Sequence, residues 1–566
     1  MTSSFEGELL WHRWVAHARR EPDRDAVVHL SLESEPVRLG RGTLLRRAAA
    51  VARRLREAGV RRGDVCALML RHTAELYPLY LGIAALGAVP SILAYPNARL
   101  HPDKFLHGLA GMARRSGLEF LLTEEALATT VRPLLGTEGC TIRDVLFPLG
   151  WPQEEEDFLD VSPEAHPDEP CLLQHSSGTT GLQKAVKLSH CAVLRQIEDY
   201  AVAIELRADD RIVSWLPLYH DMGLIAAFHL PLATGTPTVQ LSPFEWVQAP
   251  HLLLEALHTE RGTVSWLPNF AYHLLASRVR REDLGNLRLD HVRLLVNCSE
   301  PVRAASHAAV IEALGGFGLS EAVLSASYAM AETTFAVTQT RPGMRARELG
   351  VSRARLKENL VVPAGAPDDL RVCVSSGHPI PGARIEVRDA NGGVLPDGAV
   401  GQLWAQSASM FDGYANAPED TALALVEGWY RTGDVGFVVD GEVYVSGREK
   451  DLIIHAGKNL YPEDIEDAVG AVDGVLPGRV VAFGLEDEVT GTEVVCVIAE
   501  TELGDREELS RLRIAVLRAG MAIDVTIARV YFAPPRWLVK SSSGKLSRKM
   551  NRQRLQDGAL DEGKTR

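Results

Sequence analysis

The stretch HSSGTTGLQKAV, His175 to Val186, puts four hydroxyl side chains, two glycines and one lysine into twelve residues directly after the apolar run ending in CLLQ. Glycines at 178 and 181 let the backbone turn with its amide hydrogens converging. The hydroxyls of Ser176, Ser177, Thr179 and Thr180 add donors, and Lys184 adds positive charge. Such a loop suits phosphate, and the alternative is an ordinary surface turn. Two familiar phosphate motifs do not account for it. The pattern GxxxxGK[ST] fits neither this loop nor SSSGKLSRK near the end of the chain, where Gly544 and Lys545 precede Leu546. GGFGLSE, Gly315 to Glu321, has glutamate where the last glycine of a dinucleotide fingerprint belongs. No GxSxG elbow and no HExxH occurs.

Outward from this loop, short β-branched runs such as RIVSWL (Arg211 to Leu216), VRLLV (Val292 to Val296) and ARIEV (Ala383 to Val387) alternate with helical stretches. That is the pattern of strands crossed by helices, so the expected fold class is α/β. TLLRRAAAVARRLREAG places Leu44, Ala48, Val51 and Leu55 at helical spacing with arginines opposite, and Gly59 is suited to a left-handed cap. YPLYLGIAALGAVPSILAYP, Tyr77 to Pro96, carries no charge and approaches the roughly 20 residues that span a bilayer. Its prolines and glycines instead predict a buried helix, a turn at Gly87 and a strand around Val89 to Leu93. Turn signals at Asn391 (NGG) and Pro396 (PDG) mark a β-rich subdomain. The expected division is a large domain over 1–446, a hinge over 447–452 and a small domain over 453–566. The acidic run QEEED at Gln153 reads as a solvated loop.

At 566 residues the chain exceeds the roughly 250 to 300 at which one core stops growing, so several domains are expected. Hydrophobic residues at 46% and charged residues at 24% describe an ordinary folded protein, and a net charge of −14 repels nucleic acid. Seven scattered cysteines without a CxxC pair suggest neither a disulfide framework nor a zinc site. With a start that lacks a basic segment and an apolar core, the expectation is a cytoplasmic protein without a membrane span.

Three further segments carry chemistry. YAMAETTFAVT holds Glu332 after Tyr328, a carboxylate suited to Mg²⁺ and a ring suited to stacking on a base. YRTGDVGFVVDGE puts Asp434 in a tight turn, where a carboxylate accepts both hydroxyls of a ribose. SSSGKLSRK offers Lys545 on a glycine-flanked loop as a single deliverable cation. Singly these read as a core tyrosine, a hairpin aspartate and a solvated basic tail.

In this order the segments resemble the acyl-adenylate-forming superfamily of acyl-CoA synthetases, peptide synthetase adenylation domains and luciferases, over nearly the whole chain. The resemblance implies that ATP and Mg²⁺ are used. It makes Ser176, Ser177, Gly178, Thr179, Thr180 and Lys184 a phosphate loop, with Gln183 and Ala185 departing from the usual proline and glycine. It assigns Ser299 and Glu300 to adenine, Tyr328 to stacking and Glu332 to the metal. Asp434 and Arg448 fall to ribose, Lys545 to the reacting carboxylate and α-phosphate, and Lys450 to the hinge. WLPLYHDMGLI (Trp215 to Ile225), YAMAE with Ala331, and GREKDLIIHAGKNLYPEDIE narrow the resemblance to fatty acyl-AMP ligases. Arg345 to Pro379 is similar to the insertion that restrains their small domain from the CoA-accepting pose. Ala329 departs from the family's glycine.

The implied reaction joins a fatty or related carboxylic acid to AMP with loss of pyrophosphate. The acyl group then passes to the phosphopantetheine thiol of an acyl carrier protein, as in polyketide or peptide assembly. A CoA ligase and an aryl or amino acid adenylating enzyme are the rival readings. His220 is either a gate at the acyl pocket or a structural histidine, and Trp266, Leu267, Pro268 and Phe270 either line an alkyl tunnel or belong to the core.

Overall fold

The computed structural model describes residues 7–96, 102–175, 184–455, 458–487, 492–540, 545–558 and 560. It is α/β throughout and divides into two compact units. The first comprises Met1–Ala346, Ser376–Ile385 and Ala405–Tyr430, and the second Arg347–Ser375, Glu386–Trp404 and Arg431–Arg566.

A nine-stranded sheet organises the first unit. Its central strands Leu324–Ala329, Leu294–Asn297, Val264–Leu267, Ile212–Ser214, Thr238–Leu241 and Asp25–Ser31 run parallel. Antiparallel strands close both edges, Ser34–Gly40 on one side and Ala336–Gln339 with His378–Pro379 on the other. The Leu and Val runs of the central strands are buried on both faces, as helix-covered parallel sheets require. A second, four-stranded parallel sheet holds Val89–Ile92, Val65–Met69, Leu118–Thr123 and Asp144–Leu146.

The uncharged stretch at 77–96 forms the buried helix Leu76–Ala85, a turn with Gly87 at φ 67°, and the strand Val89–Ile92. Among the described residues no helix is long and apolar enough to cross a membrane. The amphipathic helix spans Arg41–Glu57 and ends before Gly59 at φ 94°. The acidic run is more than a solvated loop. Glu154 pairs with Arg53 and Arg54, Glu155 with Arg46, and Glu156 with Arg53, so the loop neutralises that helix's basic face.

The strand Trp429–Val439, which belongs to the second unit from Arg431 on, pairs with Glu442–Arg448 as a hairpin through its Asp440–Gly441 turn. A three-stranded sheet of Val480–Asp487, Thr492–Glu500 and Ile527–Ala533 carries the helices Pro462–Gly470 and Arg506–Ala522. The segment 347–375 supplies its own hairpin, Glu348–Ser352 with Leu370–Val374. Val351 and Leu356 from that segment share an apolar cluster with Val435, Phe437, Tyr444 and Tyr461. Residues 447–452 lie inside this second unit.

Candidate functional site

Four site segments of the first unit leave the carboxyl ends of parallel strands, where open α/β sheets place their ligand crevices. Tyr328 closes Leu324–Ala329, and Ser299 and Glu300 follow Leu294–Asn297. Phe270 comes after Val264–Leu267, and His220 after Ile212–Ser214. The strands Pro170–His175 and Ala185–Ser189 pair antiparallel with His175 opposite Ala185, so they frame the phosphate-loop sequence. Ser176, Ser177, Gly178, Thr179 and Thr180 themselves lie outside the described residues. Before the loop, His175 is buried and spans two hydroxyls, Ser91 Oγ at 3.0 Å from Nδ1 and Ser116 Oγ at 3.0 Å from Nε2. After it, Lys184 Nζ lies 3.3 Å from Asp420 Oδ1 and 4.6 Å from the centre of the Tyr414 ring.

Glu332 sits in a short helical turn, Ala331–Thr333, and is 8% exposed. Its Oε1 accepts a hydrogen bond from the Tyr414 hydroxyl at 2.7 Å. Burial and the adjacent Glu332 carboxylate hold the Tyr414 phenol well above its ordinary range, so it stays protonated and donating. Thr334, just beyond, has φ 67°, a costly conformation for a β-branched residue, and its hydroxyl is fixed to the Ser409 carbonyl at 2.7 Å. A buried carboxylate with one oxygen held by a phenol fits a hard cation such as Mg²⁺, which usually takes one or two protein carboxylates together with substrate phosphates. Tyr414 was not legible in the sequence, because its partner is 82 residues away and its own stretch, FDGYANAPEDT, reads only as a turn before a helix.

Ser299 adopts φ 71°, a second strained position beside the crevice, and its hydroxyl lies 3.8 Å from Met222 Sδ. Glu300 Oε2 accepts from the Phe270 amide at 2.9 Å at the start of the helix Asn269–Arg278, where a carboxylate complements the helix dipole. Tyr328 is nearly buried. Trp266 and Leu267 are fully buried, and the Trp266 indole donates to the Tyr200 hydroxyl at 2.7 Å, which makes both core residues. Phe270 is partly buried and meets Trp215 edge to face at 6.0 Å, with Trp215 stacked on Trp246 at 3.6 Å.

His220 enters an unusually wide helix, Met222–His229, of the π type often found at functional sites. Gly223 makes this bend possible, because a Cβ there would come within 2.3 Å of the Pro217 carbonyl oxygen. The His220 ring lies 5.0 Å from that of Tyr219, whose carbonyl accepts from Gln174 Nε2 at 2.8 Å. The bend at Gly223 is thereby tied to the strand Pro170–His175.

In the second unit Asp434 and Arg448 face each other across the hairpin, with Arg448 Nε 3.0 Å from Asp434 Oδ1. The aspartate therefore lies within a strand and not in the tight turn its sequence suggests. Lys450 is exposed in the short turn Glu449–Asp451. Lys545 precedes Leu546, which bridges to Lys540, and Ser547, which caps the helix Arg548–Gln556 by accepting from the Met550 amide at 3.3 Å. Arg548 anchors this corner through Asp451 at 2.8 Å, Glu463 at 2.8 Å and Glu466 at 2.6 Å.

Residues 14–415 match the family model described as AMP-binding enzyme. A protein of Caulobacter vibrioides with the provisional name acyl-CoA synthetase is 32% identical over 88% of this chain and 87% of its own. The long-chain-fatty-acid–AMP ligase FadD32 of Mycolicibacterium smegmatis is 30% identical over 92% and 89%. The long-chain-fatty-acid–AMP ligase FadD26 of Mycobacterium marinum is 29% identical over 94% of each. A solved structure from work on fatty acyl-adenylate ligases of E. coli and L. pneumophila superimposes with a TM-score of 0.89 at 26% identity, covering 97% of this chain and 98% of that one.

Proposed function

Because this chain belongs to the AMP-binding enzyme family, we propose that it joins a fatty or related carboxylic acid to AMP and then hands the acyl group to an acyl carrier protein. The observation that carries the reading is the convergence at the sheet's carboxyl edge of Glu332, Tyr328, Ser299 and the apolar bend at Trp215–Met222. A substrate carboxylate oxygen attacks the α-phosphorus of ATP, the bond to the β-bridging oxygen breaks, and pyrophosphate leaves. In the second step a phosphopantetheine thiol attacks the acyl carbonyl, AMP departs and the thiol proton is released. Glu332 would hold the Mg²⁺, which when bound would supply charge neutralisation at the phosphates.

The carboxylate is already ionised at neutral pH, so no side-chain nucleophile is required and the residues act by positioning. In this reading Ser176, Ser177, Gly178, Thr179, Thr180 and Lys184 hold the phosphates. Ser299, Glu300 and Tyr328 hold the base, and Asp434 and Arg448 the ribose. His220 borders the acyl pocket, and Lys545 neutralises the charge developing at the carboxylate and α-phosphate. Rotation about Lys450 withdraws Lys545 before the thiol arrives.

The acceptor preference rests on the segment 347–375. Arg371 lies 3.0 Å from Asp464 and stacks 4.5 Å over the Tyr461 ring, while Arg353 is 3.7 Å from the same aspartate. Lys357 Nζ donates to the Asp524 carbonyl at 3.0 Å and to the Ile523 carbonyl at 3.4 Å, just past the carboxyl end of the helix Arg506–Ala522. Arg371 and Asp464 are only 12% and 17% exposed, so the pair is largely shielded from water and ties the segment to the helix Pro462–Gly470. Such a clamp opposes the swing that admits free CoA.

Mass spectrometry of products formed from ATP, Mg²⁺ and a panel of fatty, aryl and amino acids tests the whole reading. Fatty acyl-AMP should persist with CoA present and discharge onto a phosphopantetheinylated carrier protein, whereas efficient acyl-CoA formation would replace the reading with a CoA ligase. The double variant Arg371→Ala, Lys357→Ala should raise acyl-CoA formation by about tenfold, the equivalent of roughly 1.4 kcal/mol. An unchanged product ratio would show that this segment does not set acceptor choice.

A further inference from the structure

Tyr414 occupies a position that links three parts of the first unit. Its backbone bridges to Val186 on the strand that leaves the phosphate-loop sequence, flanked by Lys187 N to Gly413 O at 3.0 Å and Ala415 N to Ala185 O at 2.8 Å. Its own amide donates to Thr421 Oγ1 at 2.9 Å, so the residue is held from both sides. The ring face receives the Lys184 ammonium at 4.6 Å, an arrangement stabilised by the ring quadrupole. The hydroxyl donates to Glu332 at 2.7 Å, a charge-assisted bond stronger than one between neutral groups. Tyr430 is buried at the same corner, its ring in edge contact with Phe411 at 5.8 Å. The Phe411 and Tyr430 rings, each in edge contact, wall this corner in apolar surface.

We propose that Tyr414 is a positioning residue for the metal carboxylate, orienting Glu332 through its hydroxyl while its ring seats Lys184. The inference rests on reading Glu332 as the Mg²⁺ ligand and goes beyond it. A carboxylate on a short turn can rotate its two oxygens freely, and a phenol on Oε1 fixes which oxygen is presented. Hydrogen-bond partners of metal ligands typically contribute 10- to 100-fold to metal affinity or activity. Because one ring serves both charges, the cation that meets phosphate and the carboxylate that meets metal are held in a fixed relation within this unit.

Tyr414→Phe removes only the hydroxyl and leaves the ring under Lys184. Mn²⁺, which like Mg²⁺ prefers oxygen ligands in octahedral geometry, serves as the probe, read by electron paramagnetic resonance on the enzyme with ATP and no acid. The expected result is Mn²⁺ binding weakened by about tenfold, with thermal stability close to wild type and the Mg²⁺ requirement of adenylation raised by the same factor. Wild-type Mn²⁺ affinity in Tyr414→Phe, with Glu332→Gln clearly weakened, would overturn the positioning role and leave the Glu332 reading standing. Wild-type affinity in Glu332→Gln would remove the reading of Glu332 itself and this proposal with it. Should Tyr414→Phe not fold, Tyr414→His, whose ring is too short to bring a donor to Glu332, takes its place, with the same weakening expected and the same result overturning the idea.

Discussion

Replacing Lys545 with alanine is expected to slow acyl-adenylate formation by about 10²- to 10³-fold while ATP binding stays close to wild type. In the proposed reading the side chain is needed only where charge develops, on the attacking carboxylate and the α-phosphate, so the loss should fall on the transition state and not on the ground state. Folding should not confuse the result. The corner that carries Lys545 is held by Arg548 through Asp451, Glu463 and Glu466, by the Ser547 cap and by Asn551 Nδ2 to the Val539 carbonyl at 3.0 Å. Single-turnover adenylation together with calorimetric ATP binding separates the two effects, and adenylation at the wild-type rate in Lys545→Ala would sink the assignment. A loss of ATP affinity as large as the loss of rate would make Lys545 a ground-state binding residue instead.

The second unit shows how far a sequence can be read. Asp434 and Arg448 stand fourteen positions apart, and the hairpin register pairs them directly, because the strands of that hairpin are joined by a tight turn. Local chain geometry decides such a pairing, yet the sequence alone suggested a tight turn at Asp434, and only the resemblance grouped it with Arg448. Glu332 was equally visible as a carboxylate after a strand. Tyr414 was not, since the bond that matters connects two loops 82 residues apart and depends on how the strand Ala185–Ser189 meets the stretch around Gly413. The wide helix Met222–His229 was hidden for a similar reason. Its sequence reads as an ordinary apolar helix, and its bend depends on the Pro217 carbonyl packed against Gly223. Trp266 and Leu267 could not be sorted between tunnel and core from sequence because both environments are apolar. The buried Tyr200 hydroxyl that accepts the Trp266 indole hydrogen, and itself donates to Gln339 at 2.9 Å, decides it.

Mild acid is expected to unfold the first unit, with a midpoint near pH 5. Burial holds six histidines there well below the ordinary value of 6.5: His29, His175, His190 and His307 at about 4, and His72 and His229 at about 3. Their hydrogen bonds suit neutral rings. His190 Nδ1 accepts from the Leu10 amide at 3.3 Å and His307 Nε2 from the Asn297 amide at 3.2 Å, and a protonated ring accepts neither. Because the folded values lie below the unfolded one, the stabilisation from neutral rings is complete above pH 6.5 and is lost as pH falls toward 4. At pH 5 each unfolded histidine has gained about 2 kcal/mol by protonation, roughly 12 kcal/mol for six, against a typical domain stability of about 5 to 15 kcal/mol. Circular dichroism and tryptophan fluorescence across pH 7 to 4 measure the transition. His72 supplies the control. Both of its ring nitrogens are buried without a hydrogen-bond partner among the described residues, although part of the residue reaches the surface. His72→Leu therefore removes one proton acceptor without breaking a bond, and should lower the acid midpoint by about 0.3 pH unit as one-sixth of the pH dependence disappears. Stability that stays flat between pH 6.5 and 5, or a midpoint unmoved in His72→Leu, would mean that these rings take up protons without opening the core.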